Sequence, residues 1–203
     1  MKIIEQRQAP NPRRVRIFLA EKGIPMTYEQ IDLLKLDHRA PTFAGLNPMQ
    51  QVPVLILDDG TALTESIAIC RYFEEMQPEP VLMGQGARGK ATVEMWNRRM
   101  ELGLLFRVAQ SVRHLHPALA PLESPQIKDW GEANRPRVAE MLELMDKEAA
   151  HRPFVAGDAF SVADITALTA IDFMKLARIE RPARLTNLDR WYRDVSARPS
   201  AKA

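Results

Sequence analysis

The sequence predicts a mixed α/β domain followed by an all-helical one. Short apolar strand candidates alternate with helical patterns as far as residue 77. Pro78 and Pro80, then Gly84, Gly86 and Gly89, punctuate the chain. Beyond Lys90 the hydrophobic period is helical only. The expected organisation is therefore residues 1–77, a linker over 78–89, and a helical bundle over 90–203.

Ile3-Ile4 reads as a first strand. Asn11 is a suitable N-cap for a helix that begins at Pro12, a residue whose missing N–H costs nothing there. Val15, Phe18 and Leu19 give that helix an apolar face, and Lys22-Gly23 ends it. Thr27–Ile31 reads as a second strand, parallel to the first by the usual rule for strand–helix–strand units. Asp32–Leu46 has poor periodicity and contains Pro41, so it predicts loop and short helical turns. Val54–Leu57 and Thr61–Leu63 flank Asp58-Asp59-Gly60, a hairpin signal because glycine takes positive φ without steric cost. A helix over Ile67–Met76 completes an open sheet with helices against it.

In the second region a long helix runs from Lys90 to a stop at His114-Leu115-His116-Pro117. Val93, Trp96, Met100, Leu104 and Val108 share one face, and Met95, Leu102, Phe106 and Ala109 line a neighbouring one. A second helix is expected over Val138–Ala149. Ser161-Val162-Ala163-Asp164 is a capping-box variant, with Phe160 placed to staple onto Ile165. Ile165, Leu168, Ile171 and Phe173 make the helix it opens nearly apolar all round and hence central; Asp172 within it needs a partner if buried. Leu188–Val195, with Trp191 and Tyr192, is a last amphipathic helix.

Composition excludes several function classes. Among 203 residues, Lys+Arg 28 against Asp+Glu 26 leaves a formal charge of +2, too balanced for a nucleic-acid face. The basic clusters Arg13-Arg14-Val15-Arg16 and Arg98-Arg99 read as solvated or ion-paired helix faces. The single cysteine, Cys70, allows no internal disulfide and sits among apolar residues as a packed thiol. No apolar run reaches membrane-spanning length and MKIIEQRQAP lacks a signal-peptide core, so a cytoplasmic protein without membrane contact is expected. His114 and His116 diverge on a helix without a third ligand, so no metal site is expected.

Polar groups gather at both ends of the hairpin. Ser66 is placed to cap the following helix, with Glu65 beside its positive end. The same pair suits a zwitterion, the carboxylate taking an ammonium and the hydroxyl a carboxylate. Val52 precedes Pro53, and its main chain offers an edge to a peptide-like ligand. His38 by itself reads as a surface-loop histidine.

The stretches PNPRRVRIFLAEKGI, NPMQQVPVLILDDGTALTES, FVAGDAFSVADITA and NLDRWYRDVSARP resemble the cytosolic glutathione transferase family, bacterial branch, across essentially the whole chain. The resemblance implies a thioredoxin-like N-terminal domain that binds glutathione as co-substrate. It further implies an all-α C-terminal domain that covers a small electrophilic or disulfide substrate, and a two-fold homodimer. It places Val52 against the cysteinyl main chain with Pro53 cis, Glu65 and Ser66 at the γ-glutamyl head, and Gln50 and His38 near the glycyl carboxylate. Arg107, Ser111 and His114 on the long helix are the candidates for the second substrate. The implied activity is thiolate attack on an electrophile; glutathione-dependent disulfide reduction and a non-catalytic glutathione-binding or protein-interaction module are the alternatives.

One departure bears on catalysis. Family members usually activate the sulfur with Tyr, Ser or Cys just ahead of the first helix, where this chain reads Ala9-Pro10-Asn11-Pro12-Arg13. No Ser, Thr, Tyr or Cys occurs in the first 26 residues. Three substitutes are open: the Asn11 amide, which an N-cap role would also use; the backbone N–H groups of the helix start; and the field of Arg13 or Arg14.

Overall fold

The computed structural model describes residues 1–203 and divides them into two units, Met1–Pro80 with Lys202–Ala203, and Val81–Ala201. The first unit holds β1 (Lys2–Glu5), α1 (Pro10–Glu21), β2 (Thr27–Gln30), α2 (Pro41–Leu46), β3 (Val54–Ile56), β4 (Ala62–Leu63) and α3 (Ser66–Met76). The sheet order is β2-β1-β3-β4, with β1 and β2 parallel and the other neighbours antiparallel. The parallel pair follows from the crossover through α1; the antiparallel hairpin follows from its short turn, where Gly60 N–H donates to the Leu57 carbonyl at 3.0 Å. Ile4, Val54, Val52 and Phe43 form one buried cluster, joined by Leu33 and Leu46. Phe18, Leu19, Ile69, Cys70 and Phe73 are also buried, on α1 and α3, which pack together.

Of the two readings of the α1 arginines, solvated or ion-paired, Arg16 takes the second and does so in the interior. Arg14 and Arg16 are buried, at 3% and 5% exposure. Arg16 pairs with buried Glu5 at 2.7 Å. Both ions lose water, so each is tolerable only because the other is present. Arg98, by contrast, pairs with Glu94 and Glu101 on an exposed helix surface. Lys22 is buried as well: Nζ donates to the carbonyls of Gln77 and Pro80 at 2.7 and 2.8 Å and pairs with Glu74 at 2.7 Å. It thereby fixes the chain leaving α3.

The second unit contains α4 (Gly86–Arg98), a π-helical stretch (Arg99–Leu105), α5 (Phe106–Leu115), α6 (Lys128–Ala149), α7 (Val162–Ala177) and α8 (Thr186–Ser196). The long helix expected from Lys90 is thus α4, π and α5 in succession, starting at Gly86. Its buried face explains the interruption. Trp96, Met100, Leu104 and Val108 are spaced by four, and each such step overshoots an α-helical turn by roughly 40°. The wider π turn absorbs that drift, and all four side chains are buried. The helix expected over Val138–Ala149 begins earlier, at Lys128, and runs through Pro136, which is exposed.

The capping box of α7 forms as expected. Asp164 is fully buried and accepts from Ser161 N–H at 3.0 Å, Val155 N–H at 2.8 Å and Trp191 Nε1–H at 2.9 Å. One carboxylate therefore closes the cap, pins a preceding loop and docks α8. Val162 through Ile171 are all buried, which makes α7 the centre of the bundle. Asp172 has its partner in Tyr192, whose hydroxyl donates at 2.6 Å.

Candidate functional site

The site in the first unit is built where α1 and α3 begin beside the entrance to β3. The helix α1 starts at Pro10 with Ala9 as N-cap, so Asn11 is its second residue and is not the cap. This corrects the expected start by two residues. The correction matters because Pro10 and Pro12 have no N–H, and Asn11 carries the one backbone donor among the first three helical residues. With two of its four N-terminal N–H groups missing, this helix end carries a weaker positive partial charge than an ordinary one. The Asn11 side chain is half-buried, and its Oδ1 accepts from Arg14 Nη2 at 2.9 Å.

The same Arg14 nitrogen donates to Ser66 Oγ at 2.7 Å. Ser66 is the first residue of α3 and buried, and its side chain does not cap the helix; that expectation is corrected too. Glu65 is the N-cap residue, exposed, with φ +65° and ψ 112°. A non-glycine residue in this region carries strain on the order of 1–3 kcal/mol, which surrounding structure must hold in place.

Val52 lies outside both ladders of β3, whose pairing with β1 begins at Val54 and with β4 at Leu55. The Val52-Pro53 peptide is cis. Just upstream, Gln50 takes φ +53°. Asn47, which sequence reasoning passed over, shapes this turn. It is buried, donates from Nδ2 to the Gln51 carbonyl at 2.8 Å and accepts from Met49 N–H at 3.0 Å. The Asn47-Pro48 dipeptide was the available signal. His38 is buried in a short 3₁₀ turn, Asp37–Arg39, and is not the surface-loop histidine expected from its neighbours.

Cys70 is wholly buried, and desolvation pushes its thiol up to about 12. It is no nucleophile at neutral pH. Thiol chemistry at this site must use a sulfur that arrives with a ligand.

In the second unit the expected second-substrate residues serve packing. Ser111 has no exposed surface and donates to the Gly131 carbonyl at 3.1 Å. The helices approach closely there, since a Cβ on Gly131 would lie 2.7 Å from Leu115 Cγ. His114 is buried, with Nδ1 accepting from Ile127 N–H at 3.0 Å. Both depart from the substrate-facing expectation because their polar atoms hold α5 to α6 and its approach. Arg107 is half-buried and donates from Nη1 to Asn134 at 3.1 Å.

The fold defines a class: a thioredoxin-like domain followed by an all-helical one. Residues 9–76 match the family "Glutathione S-transferase, N-terminal domain", and residues 106–194 match "Glutathione S-transferase, C-terminal domain". Glutathione S-transferase 2 of Saccharomyces cerevisiae is 37% identical over 100% of this chain and 88% of its own length. The crystal structure of Gtt2 from Saccharomyces cerevisiae superposes with a TM-score of 0.95, covering 100% of this chain and 99% of the other at 36% identity. A glutathione S-transferase domain-containing protein from Marinobacter aquaeolei gives 0.95 at 37% identity, covering 98% and 99%. A Gtt2-class enzyme of Vibrio parahaemolyticus gives 0.88 at 33%, covering 100% and 96%. The chain belongs to the glutathione S-transferase family. It is an enzyme that uses glutathione as co-substrate, and its relatives span yeast, plants and bacteria.

Proposed function

We propose that this transferase binds glutathione with the cysteinyl main chain along Val52 and Pro53. The γ-glutamyl head lies at Glu65 and Ser66, and the glycyl carboxylate beside Gln50 on the His38 side. The Asn11 amide stabilises the thiolate. The observation that carries the catalytic part is the start of α1: two prolines remove backbone donors there, and Asn11 supplies those left. The thiolate then attacks an electrophilic carbon, forming the C–S bond as the leaving group departs with its electron pair. Lowering a thiol pKa by two units takes roughly 2.7 kcal/mol of preferential thiolate stabilisation. Charge-assisted N–H···S⁻ bonds supply that range. Disulfide reduction through a protein-bound mixed disulfide lacks a thiol, because Cys70 is buried.

Titrating enzyme-bound glutathione by thiolate absorbance tests the reading. The thiol is expected about two pKa units below its free value, and an unshifted titration overturns thiolate stabilisation. A separate test addresses the head. Glu65→Gly removes the strained φ and the carboxylate together. Stability is expected unchanged or raised by up to about 1 kcal/mol, while glutathione affinity falls roughly tenfold or more. Unaltered affinity places the head elsewhere.

The second substrate is proposed to be a small electrophile, with Arg107 the remaining candidate for contacting it. A homodimer is proposed as well, supported by Met95, Leu102 and Phe106, which are exposed on the α4–π–α5 helix. Apolar side chains so presented favour a covering partner, and sedimentation of a monomer at micromolar concentration would remove the proposal. Placement in a bacterial branch is supported by the Marinobacter and Vibrio structures and opposed by the equal similarity of the yeast enzyme.

A further inference from the structure

The Asn11 amide and the Ser66 hydroxyl can each donate or accept, and an anionic ligand requires them to donate. We propose that Arg14 is the positioning residue that commits both. The inference rests on the glutathione placement above and adds the device that prepares it. A guanidinium has donors only. Arg14 Nη2 carries two hydrogens and has two acceptors, Asn11 Oδ1 at 2.9 Å and Ser66 Oγ at 2.7 Å. The amide oxygen of Asn11 is thereby turned toward Arg14, which leaves both Nδ2 protons for the ligand side. Ser66 already accepts from Arg14, so its own O–H proton is free to be donated to a carboxylate.

Burial strengthens the arrangement. Arg14 is 3% exposed, and charge-assisted bonds in such surroundings are shorter and stronger than those in water. Asn11 and Arg14 stand three residues apart, on one side of α1, whereas Ser66 belongs to α3. One nitrogen therefore joins the start of one helix, where the sulfur is held, to the start of another, where the head is held. The consequence is coupling: disturbing Arg14 moves thiol pKa and head affinity together, although Asn11→Ala moves chiefly the first and Ser66→Ala chiefly the second. Lysine keeps the charge without the planar fork and cannot reproduce both bonds.

The test compares the thiol titration of bound glutathione in wild type, Arg14→Lys, Asn11→Ala and the double variant. Arg14→Lys is expected to raise the thiol pKa by about one unit, a tenfold fall in the thiolate-to-thiol ratio at fixed pH. In its presence Asn11→Ala adds little, because the amide is no longer held. An unchanged pKa in Arg14→Lys, or a full additional shift from Asn11→Ala in that variant, overturns the inference. A second measurement needs no replacement of Arg14. In ¹⁵N-labelled wild type its Nη protons should exchange slowly with water and shift on addition of glutathione; exchange at the rate of a solvated arginine overturns the assignment. Wild type that fails to lower the thiol pKa removes the parent reading, whereas a lowered pKa indifferent to Arg14 removes only this one.

Discussion

Asn11→Asp is expected to raise the pKa of the bound glutathione thiol by about two units while leaving the fold intact. Aspartate has the size of asparagine, and its carboxylate pairs with Arg14 at least as well as the amide oxygen does at 2.9 Å. It offers the sulfur no N–H and adds a negative charge beside it. A structural role for Asn11 therefore predicts an unaltered or better enzyme, and a thiolate role predicts a worse one. With a wild-type pKa near 6.5 and a variant near 8.5, the thiolate fraction at pH 7 falls roughly 25-fold. A more basic thiolate is intrinsically more reactive, which returns part of the loss. The net fall in kcat/KM at pH 7 is then about 2.5- to fourfold. The sharper readout is the pH–rate profile, whose inflection should move up with the spectroscopic pKa. Asn11→Ala provides the milder comparison, removing the donor without adding charge. A profile that stays in place in both variants assigns sulfur activation to another group.

The largest effect on stability is expected at Asp164. Replacing it by alanine strands the Val155 and Ser161 N–H groups and the Trp191 indole N–H inside the bundle. Each unsatisfied buried donor costs about 1–3 kcal/mol, so Asp164→Ala should lose on the order of 4 kcal/mol or more, measured by denaturant unfolding. The pH dependence carries an additional signature. Burial raises the Asp164 carboxyl to about 6 from an ordinary 3.8, because desolvation outweighs its hydrogen bonds. A group whose folded pKa is raised binds its proton more tightly in the folded state. Its contribution is complete below pH 4 and is lost as pH rises through 6. The stability gap between wild type and Asp164→Asn should therefore be widest near pH 4. It should narrow by on the order of 3 kcal/mol toward pH 7.5; a gap constant over that interval would show that burial does not raise the carboxyl.

Legibility in the sequence followed the range of the interactions. The capping box at Ser161 and the turn at Gly60 were readable because each is written within a few residues. The start of α6 was not, since Pro136 looks like a stop, the cap-type residues Asp129 and Asn134 lie inside the helix, and the N-cap itself is Ile127; packing against α5 overrides the local signals. The π turn was present in the four-residue spacing of Trp96 to Val108, but only as a drift that a uniform helix conceals. Asn11 looked like a cap because Asn-Pro is a good helix start, and the turn that brings Ala9 N–H to the Gln6 carbonyl begins the helix sooner.

By itself the sequence determined the two kinds of domain and the absence of a hydroxyl or thiol ahead of α1. These depend on residue type and local order. Tertiary structure alone decided that Arg14 is buried, that it bridges Asn11 and Ser66, and that Ser111 and His114 face helix packing. Arg14 and Ser66 are 52 residues apart in the chain. What a polar side chain can do depends on which partner it meets after folding, and no local pattern of residues specifies that meeting.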